Sequence, residues 1–204
     1  MPGSRIQGKH AGLSREQVLE AAVDLIDAEG VEALSMRRLA RELGVEAMSL
    51  YHHVRNKGEL EDAVVEYVLT QSRWDRTYAA SWQEALTEYA LALHRGLRAH
   101  PGVAPLVATR PGFTARNLAD LEELLARLIE AGFPVRTALA VVHATAGCVL
   151  GQFVVVRQGP REPSEPAADA GPLVTRALEA GVPDSDALLA FTLKALIAGY
   201  ESLL

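Results

Sequence analysis

The sequence predicts an all-α protein with an N-terminal three-helix, helix-turn-helix domain and a larger C-terminal helical domain, and three observations carry that expectation. Alanine and leucine abound while aromatic residues make up only 5% of the 204 residues. No stretch shows the period-two alternation and β-branched enrichment of strands. Between Leu34 and Lys57, the spacing of Leu39, Leu43, Val45, Leu50 and Val54 lets two short helices meeting at Gly44 press their apolar sides together. Farther along, Gly and Pro cut the chain into amphipathic, helix-length segments. The length suffices for a small domain plus a larger one.

The first thirteen residues hold Arg5, Lys9 and His10 and no acid. Residues 1–13 are either a flexible basic arm or a plain polar leader. Ser14-Arg15-Glu16-Gln17 has the form of a capping box, with Leu13 and Val18 placed for the hydrophobic staple. The helix it opens runs through Val18, Leu19, Ala22, Leu25 and Ile26 and stops at Gly30. Ser35 is placed to cap the next helix, whose first turn holds Arg37. Gly44 suits the position just past that helix, where a left-handed backbone is least strained for glycine. A second short helix is expected from about Glu46 to His53. Asn56-Lys57-Gly58 then breaks the chain and closes a unit of residues 14–58. Residues 59–72 resume as a helix through Leu60, Ala63, Val64, Tyr67 and Val68, opening the unit 59–204.

The outward side of the second short helix would carry Ala47, Met48, Ser49, Tyr51, His52 and His53, with no acid after Glu46. Such a helix can enter a DNA major groove. Arg37, Arg38 and Arg41 before it, with Arg55 and Lys57 after it, are placed to hold phosphates. The glycine pattern alone fits a generic helical hairpin with a solvated charged face equally well. The net charge of -6 opposes indiscriminate coating of nucleic acid, and the basic character is concentrated near the N-terminus.

After an irregular stretch from Trp74 to Ala80, Ser81 can cap a helix from Trp82 to Ala99 whose inner side includes Leu86, Tyr89, Leu93 and Leu97. Pro101 ends it. Val103 to Thr109 has room for one or two turns, and Thr114 to Glu130 is amphipathic through Leu118, Leu121, Leu125 and Leu128, closing at Gly132. From Pro134, well suited to a first turn, to about Gln158 the chain is apolar nearly all round, which predicts burial on most sides. Cys148 is expected there as a small core residue. Ala140, Ala144, Gly147 and Gly151 form a stripe of small residues on this helix. Residues 158–172, rich in Pro, Gly, Glu and Ala, are expected as an exposed loop. A short helix follows to Gly181, and Pro183-Asp184 opens a last one to Leu204 with a second stripe, Thr192, Ala195, Gly199 and Ser202. Two such helices from each of two chains fit a four-helix dimer interface. The alternative is that both stripes face their own chain's core.

A single cysteine excludes an intramolecular disulfide. With no signal-type apolar segment and no apolar run of membrane-spanning length, a soluble, cytoplasmic protein with no membrane partner is expected. Catalysis finds no support. His52 and His53 are adjacent, His94 and His100 are six apart, and His143 and Cys148 are five apart, none with metal-site spacing. No Gly-rich phosphate loop, nucleophile elbow or paired-carboxylate motif appears, so no enzyme, metal or cofactor is expected.

Residues Ser14 to Leu69 resemble the DNA-binding domain of the tetracycline-repressor (TetR) family. The likeness lies in a first helix ending Ala28-Glu29-Gly30, then Leu34-Ser-Met-Arg-Arg-Leu-Ala40, Leu43-Gly-Val45 and Leu50-Tyr-His-His-Val-Arg-Asn-Lys57. Val107-Ala-Thr-Arg-Pro111, with Ser81-Trp-Gln83 before it, resembles the ligand-binding domain of tetracycline repressors. This resemblance implies a transcriptional regulator, commonly a repressor, that binds a palindromic double-stranded DNA operator as a homodimer. A small-molecule effector would release it from a C-terminal ligand-binding and dimerisation domain. Carried over position by position, Arg37, Ala47, Met48 and Ser49 would read bases while Tyr51, His53 and Lys57 hold phosphates.

Two departures from the family pattern are informative. Ala47 and Met48 stand where tetracycline repressors have Gln and Pro, and they offer only apolar contact, suited to thymine methyls, so a different operator is expected. Leu106 stands where those repressors place a magnesium-binding histidine, and leucine cannot bind a metal. Their drug-contacting Asn and Phe fall on Tyr89 and Leu93, and a Gln falls near Glu122. The expected effector is a largely apolar, ring-containing molecule other than magnesium-tetracycline, with Tyr89, Thr109, Glu122 and His143 as polar contacts. For His143 a hydrogen-bonded core position is the alternative. A dimer is also expected on physical grounds, because one recognition helix reads few base pairs and two read half-sites about one helical turn, ~34 Å, apart. The rival reading is a DNA-binding dimer without a small-molecule ligand, its C-terminal domain serving dimerisation or protein contacts.

Overall fold

The computed structural model describes residues 13–71, 80–110, 115–156, 171–181 and 184–204, and no strand occurs among the described residues. The basic arm before Leu13, the stretch 72–79 and all but the last two residues of the loop expected at 158–172 lie outside the described residues. The N-terminal helices are α1 (Arg15–Glu29), α2 (Met36–Glu42), α3 (Ala47–Leu50) and α4 (Lys57–Gln71). The C-terminal ones are α5 (Trp82–Ala99), α6 (Ala104–Thr109), α7 (Ala115–Glu130), α8 (Val135–Val156), α9 (Pro172–Ala180) and α10 (Ser185–Glu201).

Local chemistry sets most of these starts. The Ser14 hydroxyl accepts from the Gln17 amide at 3.1 Å, and the Gln17 side chain accepts from the Ser14 amide at 2.9 Å, completing the capping box of α1. The side chains of Ser35, Ser81 and Asp184 cap α2, α5 and α10 by accepting from the Arg38, Glu84 and Ala187 amides. Gly44 sits between α2 and α3 with φ +65°, where an L side chain would be strained.

Three apolar clusters hold these helices apart from α9, whose described residues are exposed. The first joins α1 to α4 through Leu19, Ile26, Leu34, Leu39, Leu50 and Leu60, and it takes in Val103 and Leu106 from the C-terminal side. The second gathers Trp82, Leu86, Leu124, Leu128, Phe133 and Val142 from α5, α7 and α8, with Trp82 edge-on to Phe133 at 5.1 Å. The third packs Leu93, Leu97, Val149, Leu189 and Leu193 where α5, α8 and α10 meet.

Several expectations need correction. α3 ends at Leu50 rather than His53: the His53 amide bonds back to the Leu50 carbonyl at 2.9 Å, a three-residue turn that drops Val54 into the core. α4 starts at Lys57, with the Asn56 side chain accepting from the Glu59 amide at 2.9 Å, so Gly58 lies inside its first turn instead of breaking the chain. On α7 Leu124 joins the expected Leu128 as fully buried, Leu121 and Leu125 pack beside them, and Leu118 is exposed. α9 begins at Pro172, inside the stretch expected as loop. α8 is not buried on most sides: Ala140, His143, Ala144, Gly147, Cys148 and Gly151 are all exposed. An all-round apolar pattern signals burial, and within one chain α8 is covered on one side alone.

Candidate nucleic-acid interface

The helix-turn-helix offers its surface through α2 and α3. Arg37, in the first turn of α2, and Arg41 are exposed. Arg38 is not available to phosphates as expected: its guanidinium pairs with Glu29 and Glu42, carboxylates that raise its pKa further. On α3 and the turn after it, Met48 is 69% exposed and Tyr51 45%. Ala47 is half-buried against the first cluster, and Ser49 and His53 are half-buried as well. Ser49, His52 and His53 border a groove shared with Gln17, Glu20 and Asp24 of α1, so the outward side is narrower than the helical pattern suggests.

The segment after α3 is pinned by charge. The Arg55 amide and Nε both donate to Glu59 Oε2, at 2.8 and 2.9 Å, and these bonds hold the Glu59 carboxyl below its usual range. Lys57 opens α4 with its Nζ 3.5 Å from Glu61 Oε1 and stays half-exposed. Glu61 itself is 8% exposed, and its second oxygen pairs with Arg110 at the end of α6. Arg110 Nη1 also donates to Asp62 Oδ1 at 2.7 Å and to the Gly58 carbonyl at 3.3 Å.

A second bridge ties the two halves at α1. Asp27 accepts from the Gly102 amide at 2.7 Å, and its other oxygen lies 2.9 Å from His100 Nδ1. A Cβ on Gly102 would come within 2.6 Å of Asp27 Cα, so the approach requires glycine there. Sequence reasoning did not single out Glu61, Arg110 or Asp27 as couplers. A signal existed for Glu61, a charged residue at helical spacing from the inward Val64, Val65 and Val68.

The expected effector residues fall in different surroundings. Tyr89 is half-buried in the second cluster, and burial pushes its phenol up to about 12, so it stays a neutral donor. Leu93 belongs to the third cluster and Leu106 to the first. Thr109 is exposed and donates to the Pro105 carbonyl at 3.0 Å, and Glu122 and His143 are exposed. His143 is thus not the core histidine of the alternative. The buried histidine is His94, with Nε2 2.9 Å from Ser185 Oγ and its ring 5.1 Å from that of Phe153. Burial lowers its pKa. Of the interface candidates, Ala140, Ala144, Gly147, Gly151, Ala195, Gly199 and Ser202 are exposed in the single chain, and Thr192 is half-buried.

The model described as "Bacterial regulatory proteins, tetR family" matches residues 18–64, and that described as "Tetracyclin repressor-like, C-terminal domain" matches residues 77–204. The chain belongs to the TetR family. It is similar to the tetracycline repressor protein class D of Escherichia coli, at 34% identity over 201 residues, covering 94% of this chain and 90% of that protein. Among solved structures, ActR of Streptomyces coelicolor in complex with actinorhodin matches with TM-score 0.75 and 30% identity over 93% of this chain and 95% of that one. BioQ solved with its double-stranded DNA operator matches with TM-score 0.66 and 26% identity over 92% of this chain and 97% of that one. This TetR-family chain is accordingly a helix-turn-helix regulator of transcription, with its DNA-binding domain N-terminal. No described helix is long and apolar enough to cross a membrane.

Proposed function

We propose that two copies of this chain repress transcription by binding a palindromic operator, and that a small, largely apolar, ring-containing effector releases them. The observation that carries the reading is the outward presentation of Met48 on α3 and Tyr51 just after it, beside an α2 that is capped, packed and carries the exposed Arg37 and Arg41. In this proposal Arg37, Ala47, Met48 and Ser49 face base edges, and Tyr51, His53 and Lys57 face phosphates. Met48 carries most of the apolar contact, because Ala47 and Ser49 are half-buried, and it suits thymine methyls. The stripes Ala140, Ala144, Gly147, Gly151 and Thr192, Ala195, Gly199, Ser202 are the proposed dimer surface. The protein is proposed to act in the cytoplasm and to catalyse nothing.

The effector site is proposed to lie in the C-terminal domain with Tyr89, Leu93, Leu106, Thr109, Glu122 and His143 as candidates. Leu106, an aliphatic side chain 3% exposed, has no lone pair for a metal, which supports an effector other than magnesium-tetracycline. Release follows by population shift: the effector prefers a conformer in which the two recognition helices no longer match adjacent major grooves, and it shifts the balance only by its difference in affinity between conformers. The ties from Arg110 to α4 and from Gly102 and His100 to α1 are the links through which α5 and α6 move the head.

Selection of bound duplex from random sequence, repeated with actinorhodin and with tetracycline plus magnesium, tests this. The expected result is a palindrome with thymine near each half-site's Met48 contact and release by ring compounds without magnesium. Tight, magnesium-dependent tetracycline binding by calorimetry would overturn the effector proposal. Operator affinity unmoved by every ring compound tried would favour a dimer without a small-molecule ligand.

A further inference from the structure

We propose that Glu61 is a positioning residue for operator binding: one carboxylate shared between the head's Lys57 and the C-terminal domain's Arg110, which sets how much positive charge Lys57 offers a DNA phosphate. The inference rests on the reading of Lys57 as a phosphate contact. Glu61 and Lys57 are one helical turn apart on α4, so they share a side, and Lys57 Nζ lies 3.5 Å from Glu61 Oε1. The other oxygen of the same buried carboxylate pairs with Arg110 Nη2. Lys57 is 46% exposed, so its remaining N–H groups are open to a phosphate while it touches Glu61.

Consider what each partner does to the other. With Arg110 seated, its guanidinium, which also binds Asp62, offsets much of the Glu61 charge, and Lys57 offers a phosphate most of its own. With Arg110 withdrawn, the whole negative charge of Glu61, held where water screens it poorly, acts on Lys57 and on any approaching phosphate. Lys57 is then drawn back and the backbone is repelled. Arg110 directly follows α6 as its C-cap, whereas Lys57 begins α4 directly after the recognition turn. Movement of α6 therefore reaches the phosphate contact through charge as well as through helix tilt. Asp62 also binds Arg110 but touches no head cation described here, which makes it the control.

The test uses the full-length protein and the duplex recovered from random sequence by the wild type, with affinity read by fluorescence anisotropy over a range of salt. Arg110→Gln is expected to weaken binding about tenfold, and adding Glu61→Gln to restore it to within about twofold of wild type. Adding Asp62→Asn instead is expected to leave the loss in place. In a Lys57→Gln background, which lowers the slope of log affinity against log salt by about 0.9 per lost contact, Glu61→Gln should change nothing beyond about twofold. If Arg110→Gln fails to melt cooperatively, the cycle of Glu61→Gln with Lys57→Gln decides alone: Glu61→Gln tightens binding about threefold with Lys57 present and not in its absence. No rescue by Glu61→Gln, rescue by Asp62→Asn, or an equal effect of Glu61→Gln without Lys57 would each overturn the proposal. Recovery of no duplex by the wild type would sink the DNA-binding reading itself, an outcome distinct from an unresponsive cycle.

Discussion

In the N-terminal head, α1 to α4 enclose Ile26, Leu34, Leu39, Leu50 and Leu60 completely, and the large apolar residues left outside are Met48 and Tyr51 on the recognition segment. The C-terminal helices are built differently: Val135 and Leu139 on α8, Leu173 and Val174 on α9, and Phe191 on α10 all stay exposed, beside stripes of Gly and Ala with open space around them. One unit closes its core, with Val103 and Leu106 from the C-terminal side completing it, and leaves its large exposed apolar side chains where DNA would be contacted. The other leaves whole helix faces uncovered, as a subunit does when a second copy supplies the missing layer. The difference fits the proposed division of tasks, in which one unit presents a contact surface and the other sets the distance between two such surfaces.

The sharpest way to break this contrast is to charge the open stripe. Nothing lies within 4 Å of a Cβ at Gly147, so Gly147→Arg should leave the single chain folded, yet it places an unpaired charge in the proposed dimer interface. Light scattering should show the mass halved, with operator affinity down about 100-fold or more. A dimer of unchanged mass would move the interface elsewhere. Next in size is Gly102→Ala, whose Cβ would strike backbone of α1 at 2.6 and 2.7 Å. It should cost about 1–3 kcal/mol in a thermal or urea melt. A variant as stable as wild type would mean the two units are less tightly joined than the Asp27 bridge implies.

Smaller, and confined to the head, is Met48→Ala. Operator binding should weaken by about 1 kcal/mol, with the preference for thymine relaxed and the melt unchanged. The smallest effect concerns the C-terminal unit and pH. Burial lowers the pKa of His94 in the folded chain, so the unfolded chain takes up this proton more readily. Its contribution is fully present above the ordinary value of about 6.5 and is lost as pH falls below it. The melting temperature should therefore fall less between pH 7.5 and 5.5 for His94→Gln than for wild type.

What was legible in the sequence follows from range. The cap residues Ser14, Ser35, Ser81 and Asp184, and the positive φ of Gly44, are set by neighbours within a few positions, and local pattern finds them. The pairing of Arg110 with Asp62 and of His100 with Asp27 spans 48 and 73 residues, and only the packed chain brings them together. Periodicity showed that α8 is apolar on every side. It carried no information on whether its own chain or a second one supplies the cover, hence the misplaced expectation of a core position for Cys148. Arg38 was misjudged for a related reason, since its partner Glu29 comes from another helix.

The central claim, that the closed head reads DNA while the open C-terminal unit holds a twin at matching distance, is tested most directly by counting chains. Sedimentation or native mass measurement of the full-length protein on its selected duplex should find two chains per palindrome for wild type and no stable two-chain complex for Gly147→Arg. A single wild-type chain bound per duplex, or a Gly147→Arg variant that still assembles in pairs with full affinity, would contradict it.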